Sequence, residues 1–190
     1  NAAYLTLGIE GKYDAVEVAS GQLPSFMNQV RQTEANWIGF SLTMPLKEEV
    51  LKVADQIDPL AKQINSANTL IPTIDGWYAT STDVSGFIWA LAANGVSDFQ
   101  SIQIIGAGGT ARAAAAAIDA PGRSIQVISR SAEREAKMRE SISLADISFH
   151  NWNDVQLNAD LIINTTPKNV ADSLEPGSGI LFESLYDPWP

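Results

Sequence analysis

Two short stretches of this sequence have the residue types and spacing to handle phosphate. Gly106-Ala107-Gly108-Gly109-Thr110-Ala111 stands between an apolar run, Ser101–Ile105, and an alanine-rich run that continues to Ala120. If the first run is a strand and the second a helix, the small residues acquire separate jobs. Gly106 permits the tight turn, Gly108 lets the backbone approach a pyrophosphate on the helix N-terminus, and Ala111 takes the third small position. A glycine turn required only by packing is the alternative. The second stretch, Ser129-Arg130-Ser131 with Arg134 one helical turn on, closes the next apolar run, 124–128. An NAD site would place an acid there for the ribose hydroxyls, whereas a planar arginine fork with flanking hydroxyls suits a 2′-phosphate. NADP is therefore expected rather than NAD, held by Ser129, Arg130, Ser131 and Arg134. For Arg134, an ordinary solvent-facing arginine is the alternative.

The rest of the composition narrows the chemistry. Among 190 residues there is no cysteine and one histidine, His150. Thiol nucleophiles, zinc–thiolate sites and Ser-His triads are thereby set aside, and no metal site is expected. Lys, Asp, Glu, Tyr and the backbone remain. Apolar residues make up 45% of the chain, enough for a packed core. The net charge of −10 divides evenly between residues 1–90 and 91–190, so no broad basic face for nucleic acid or an anionic membrane is expected. One window departs: from Arg112 to Arg139 six cations (Arg112, Arg123, Arg130, Arg134, Lys137 and Arg139) face three acids. By itself such a window reads as a helix face of mixed charge. Beside the glycine turn it reads as the setting for a dinucleotide's phosphates. No apolar run approaches the roughly 18 residues of a membrane-spanning helix. The five tryptophans are scattered without basic interleaving and read as core or domain-edge packing residues, and His150 reads as structural or exposed. A cytoplasmic protein acting on a small molecule, as monomer or homodimer, is the expectation.

Those residues need a frame, and the periodicity supplies one. From residue 101 onward, strands at 101–105, 124–128, 160–164 and 179–182 are interleaved with helices, one through the alanine run and one over 131–143. That order predicts right-handed βαβ crossovers and a parallel sheet covered on both faces. The first half predicts a second α/β layer of shorter pieces. Residues 13–18 alternate, 24–34 have helical spacing through Phe26 and Val30, and 37–43 read as a strand. Pro45 then suits the first turn of a helix on which Glu48 and Lys52 form an i,i+4 pair. A helix over 83–94, ending at Gly95, connects the halves. The fold class expected is α/β in two domains, 1–87 and 88–190, the second Rossmann-like.

In this order the motifs resemble the shikimate dehydrogenase family, which includes quinate/shikimate dehydrogenases. Asn1-Ala2-Ala3-Tyr4 with Leu7-Gly8 is similar to the family's first-helix motif. Gly39-Phe40-Ser41-Leu42-Thr43-Met44-Pro45-Leu46-Lys47 is similar to its G-x-N-V-T-x-P-x-K, Ser66-Ala67-Asn68-Thr69 to its A-V-N-T, and Ser81-Thr82-Asp83 with Gly86-Phe87 to its N-T-D-x-x-G-F. The glycine turn, Ser129-Arg130-Ser131, Ile163-Asn164-Thr165-Thr166-Pro167 and Leu185-Tyr186-Asp187-Pro188 follow in family order, so the resemblance runs over essentially the whole chain. It departs at Ser41 and Ser81, where the family has Asn, at Asn65-Ser66-Ala67 in place of G-A-V, at Asn169 in place of Gly, and at Ser184, where Met is frequent. The family's opening strand, with a Ser-x-Ser motif, and its closing helices have no counterpart here, which implies the middle of a longer protein.

The resemblance implies a substrate-binding domain over 1–87, an NADP-binding domain over 88–190, and reversible NADP-dependent conversion of 3-dehydroshikimate to shikimate in aromatic amino-acid biosynthesis. Lys47 and Asp83 would be the acid–base pair. Thr43, Asn68 and Tyr186 would contact the substrate, and Thr166 and Pro167 would line the cofactor pocket. The residue types suit the chemistry: hydride leaves a secondary alcohol as its hydroxyl proton passes to a base within hydrogen-bond reach, and a lysine oriented by an aspartate can serve. Taken singly, Lys47 reads as a solvated helix residue and Asp83 as a helix N-cap; the joint pattern favours the pair. Two alternatives stand beside this reading. An NAD-dependent quinate/shikimate dehydrogenase is disfavoured by Arg130, and a non-catalytic NADP-binding paralogue by the intact Lys47/Asp83 pair.

Overall fold

A computed structural model describes residues 1–33, 35–175 and 177–185. The first half builds a small mixed sheet with helices against it. After α1 (Ala2–Leu7) the chain runs without regular structure to α2 (Leu23–Gln32), which carries Pro24 in its first turn and buries Leu23, Met27 and Val30 along one stripe. There follow β1 (Phe40–Ser41), α3 (Leu46–Glu49) with a 3₁₀ turn over Val50–Lys52, β2 (Gln56–Ile57) and α4 (Pro59–Gln63). Asp58 caps α4 by accepting from the Leu60 and Ala61 N–H groups at 2.9 and 3.1 Å. The hairpin β3 (Thr69–Thr73) and β4 (Gly76–Thr80) completes a four-stranded sheet in the order β1-β3-β4-β2. The stripe of α2 packs with Leu42, Val50, Leu70 and Trp77 as its core.

Then α5 (Asp83–Ala93) crosses to the second half, where β5 (Ser101–Ile105), α6 (Gly109–Ala117), β6 (Ser124–Ser129), α7 (Glu135–Glu140), β7 (Asp146–Asn151), β8 (Asn158–Asn164) and β9 (Ser178–Glu183) follow. The five strands form an all-parallel sheet in the order β7-β6-β5-β8-β9. Its central strands are buried on both faces, which explains their near-continuous Ile, Val and Leu. One face is covered by α5 and α6, the other by Trp152, Val155, Val170 and Leu174. On α6, Ala111, Ala113, Ala114 and Ala115 are fully buried; side chains of one carbon let this helix lie close to both α5 and the sheet. Within α5, an unbroken helix that spans the expected 87/88 division, Val84, Phe87 and Leu91 all join the core of the parallel sheet.

Several expected elements take another form. Residues 13–18 are not a strand, because no described strand lies beside them; Tyr13 instead exchanges two hydrogen bonds with the Asn1 side chain. Of 37–43 only Phe40–Ser41 pairs in the sheet. The helix over 131–143 is a 3₁₀ turn, Ala132–Arg134, followed by α7. Glu48 does not pair with Lys52. Its carboxylate reaches across to Arg112 on α6 at 2.8 Å and to Lys137 on α7 at 3.0 Å.

That contact is part of the seam joining the two halves. Arg112 has no exposed surface. Its Nε donates to the Ile64 carbonyl at 2.6 Å, Nη2 to the Asn65 carbonyl and Glu48, and Nη1 to the Ala107 carbonyl at 3.4 Å. Ser66, also fully buried, lies against Gly109, where a Cβ would fall 2.4 Å from its hydroxyl. Gly109 is thus glycine because the first half packs onto it. Burial works to raise the Glu48 pKa, but hydrogen bonds from Arg112 and Lys137, with their charges, outweigh it and hold the carboxyl below its usual 4.5. A carboxyl held low in the folded state stabilises fully above its unfolded value and loses that contribution as pH falls through the folded one.

Two outcomes follow from the seam. Arg112→Met should destabilise the fold by about 3–5 kcal/mol, the order seen when one partner of a buried pair is removed, read by chemical denaturation at neutral pH. The wild-type unfolding midpoint should fall as pH drops below about 4.5, and Glu48→Gln should flatten part of that fall. Glu49, Asp55 and Asp160, held low mainly by a hydroxyl or backbone N–H groups, would supply the remainder.

Candidate active site

Between the two halves lies a cleft of about 1540 Å³, larger than the roughly 300–1,000 Å³ of an ordinary small-molecule pocket. It opens where the strand order reverses, between β5 and β8, at the carboxyl ends of the strands. At that crevice Gly106 has φ +107°, and a Cβ would sit 2.6 Å from the Thr165 hydroxyl. Thr165 closes the crevice by donating N–H and Oγ1 to the Ile105 carbonyl.

At one end of the cleft, Lys47 on α3 and Asp83 at the start of α5 meet, Nζ to Oδ2 at 2.8 Å, each side chain less than one fifth exposed. The helix cap at this point is Thr82, so the Asp83 carboxylate is not the N-cap. Lys47 Nζ also stands 3.5 Å from the Thr110 hydroxyl in the first turn of α6. The ammonium therefore sits where both halves of the molecule meet. Asn68 orients the aspartate: its Nδ2 donates to Asp83 Oδ1 at 2.8 Å and to the Thr82 hydroxyl, while its Oδ1 accepts from the Thr82 N–H and the Thr69 hydroxyl. All four hydrogen-bonding positions of the amide are used within the protein, so a substrate hydroxyl would have to displace one of these contacts. Thr43 is exposed and lines the cleft before α3. Tyr186 lies outside the described residues.

The glycine turn forms the middle of the floor. Gly108 is the N-cap of the nine-residue α6, whose first N–H groups have no intrahelical partner and, with the helix dipole, favour an anion. Arg134 stands across the turn, a guanidinium nitrogen 3.5 Å from the Cβ position of Gly108. Arg130 diverges from it and lies over the Trp152 ring at 5.2 Å from the centroid. The loop between them is fixed by the Ser129 hydroxyl, which accepts from the Ser131 N–H at 3.1 Å. Both serines line the cleft. Ala107 and Ala111 are buried beneath the turn, and Thr110 faces the cleft.

Of the six cations in the basic window, Arg130, Arg134 and Lys137 line the cleft. Arg123 lies over Phe99 and Arg139 over Phe149, while Arg112 is taken up by the seam. On the far side of the crevice, Thr166 donates N–H and hydroxyl to Asn164 Oδ1, and Asn164 Nδ2 donates to Glu183 at 2.7 Å. Pro167 continues that wall, and the Ser184 hydroxyl donates to the Asn164 carbonyl. The Asn164–Glu183 support and the Glu48 bridge escaped the sequence reading, since each joins residues from separate strands or helices. His150 lies on β7 beside Ser148, with Nε2 3.1 Å from its hydroxyl.

This donor set fits a phosphorylated dinucleotide: a helix N-terminus for the pyrophosphate, two divergent arginines beside it, and no acid at 129–131. Among the described residues no helix is long and apolar enough to cross a membrane.

Comparison with known proteins points the same way. The family described as shikimate dehydrogenase substrate binding domain matches residues 1–70. The shikimate dehydrogenase (NADP(+)) of Sinorhizobium medicae is 34% identical over 184 residues, which cover 94% of this chain and 63% of that protein. The shikimate 5-dehydrogenase of Thermus thermophilus, solved in complex with NADP(H) and shikimate, superposes with a TM-score of 0.78 at 29% identity, covering 98% of this chain and 72% of that one. The chain thus spans from somewhat under two thirds to nearly three quarters of the length of these relatives. With the shikimate dehydrogenase (NADP(+)) of Pyrobaculum aerophilum 35% identical over 100% of this chain and 72% of its own length, the chain belongs to the shikimate dehydrogenase family.

Proposed function

We propose that this chain carries the catalytic core of an NADP-dependent shikimate dehydrogenase, interconverting shikimate and 3-dehydroshikimate in aromatic amino-acid biosynthesis. The observation that carries the reading is the 2.8 Å Lys47–Asp83 pair at the substrate end of a cleft whose other end holds Arg130 and Arg134. The Sinorhizobium and Pyrobaculum relatives, both named for NADP(+), and the Thermus structure with both ligands support it. In this reading residues 1–87 present the substrate and 88–190 the cofactor. Bound NADP supplies the hydride acceptor. Lys47 Nζ takes the proton of the reacting hydroxyl, and Asp83, fixed by Asn68, holds the amine in line. Thr43 and Tyr186 contact the substrate's hydroxyls or carboxylate. Glycine turn and Arg134 hold the pyrophosphate side, Arg130 reads the 2′-phosphate, and Thr166 with Pro167 bounds the nicotinamide. The protein works in the cytoplasm on a small molecule, without a nucleic-acid partner, as monomer or homodimer.

Three measurements bear on this. The protein supplied with shikimate and NADP should form NADPH, and absence of NADPH would contradict the reading. Lys47→Ala should lower kcat by about 10²- to 10⁴-fold, the range for loss of a general base, while NADP binding followed by fluorescence stays intact. Arg130→Ala should raise KM for NADP by about 10- to 100-fold, as expected for losing charge-assisted hydrogen bonds of about 1.5–3 kcal/mol, and leave KM for NAD nearly unchanged.

A further inference from the structure

We propose that Glu48 is a positioning residue for Lys47, tying the helix that carries the lysine to the cofactor half of the cleft; this rests on the proposed role of Lys47. α3 is four residues long and fully buries none of them. Leu46, partly buried, and Val50 of the following 3₁₀ turn pack into the first-half core. The helix is too short to hold itself by propagation and, among the described residues, is without apolar packing onto the cofactor half. Its remaining ties are polar. The Lys47 carbonyl accepts from the Ala67 N–H at 2.8 Å, and the Glu49 carboxylate takes the Ser20 hydroxyl at 2.6 Å and the Gly21 N–H. Both ties stay within the first half. Glu48 alone among α3's carboxylates crosses the cleft, with Oε1 on the buried Arg112 and Oε2 on Lys137.

Arg112 in turn holds the carbonyls of Ile64 and Asn65, three and two residues before the Ala67 N–H that supports the Lys47 backbone. Glu48 therefore closes a loop of contacts: α3 to Arg112, Arg112 to the 64–65 carbonyls, and Ala67 back to α3. With the loop closed, Lys47 Nζ reaches Asp83 on one side and Thr110 on the other. Without Glu48, α3 keeps its ties to the first half and loses its register against α6.

The test compares wild type, Glu48→Gln, Lys137→Met and the double variant. Trace acylation by acetic anhydride, read by peptide mass, reports how protected Lys47 is without any turnover. In Glu48→Gln, Lys47 should be acylated at least about fivefold faster, with exposed Lys52 as the unchanged internal standard, and kcat should fall at least about tenfold while the NADP Kd stays within about threefold. Lys137 is half-exposed, so Lys137→Met keeps the test available whether or not Glu48→Gln folds. It should give a smaller change of the same kind, and the double variant should add little to Glu48→Gln. Unchanged Lys47 acylation in both single variants, or a lost kcat explained wholly by weaker NADP binding, overturns the proposal. A wild type that binds NADP without turnover overturns the proposed function instead, and the labelling still decides the role of Glu48.

Discussion

Arg112 is a charge with no exposed surface, and such a group persists only where acceptors surround it. Its partners are two carbonyls from the loop after α4, one from the glycine turn, and the Glu48 carboxylate, so satisfying one guanidinium requires both halves of the molecule to be in place at once. The cleft exists on those terms. Its floor is the glycine turn that leads into the helix of Arg112, and one end is the short helix from which Glu48 reaches Arg112.

The site inherits its geometry from that seam. Lys47 and Asp83 come from separate elements of the first half, yet Lys47 Nζ also lies beside Thr110 of α6. In the proposed reaction a base placed there meets a substrate held by the mixed sheet and a cofactor held by the parallel one. Asn68 contributes by saturation: with every hydrogen-bonding position engaged, it holds Asp83 in one orientation. Across the cleft the two arginines have different neighbours, Arg134 at the glycine turn and Arg130 over Trp152.

What was legible in the sequence was local or periodic. The central strands of the parallel sheet, β5, β6 and β8, stand out because burial on both faces demands continuous apolar runs, whereas β7, with half-exposed edge residues, does not. The glycine turn stands out because tight backbone geometry restricts residue type over a few consecutive positions. The hairpin over residues 69–80 escaped notice since its strands are short, include Pro72, and bury only Leu70, Trp77 and Ala79. The pairing of Glu48 shows the limit most clearly. Lys52 stands four residues away and is visible as an i,i+4 partner, whereas Arg112 and Lys137 stand 64 and 89 positions away and become neighbours only through the fold. Composition likewise assigned Arg112 to the phosphate window, because counting charges says nothing about which of them are buried.

In the proposed reaction a substrate alcohol and NADP meet in this cleft, with Lys47 taking the proton as hydride moves. The most direct measurement uses shikimate carrying deuterium on the carbon that bears the reacting hydroxyl, mixed with NADP and the protein, with the cofactor then examined by mass spectrometry. One deuterium is expected on the nicotinamide ring of the reduced cofactor in wild type and almost none in Lys47→Ala. NADP bound but recovered unlabelled from the wild type, or labelled equally by both proteins, would contradict the proposed reaction.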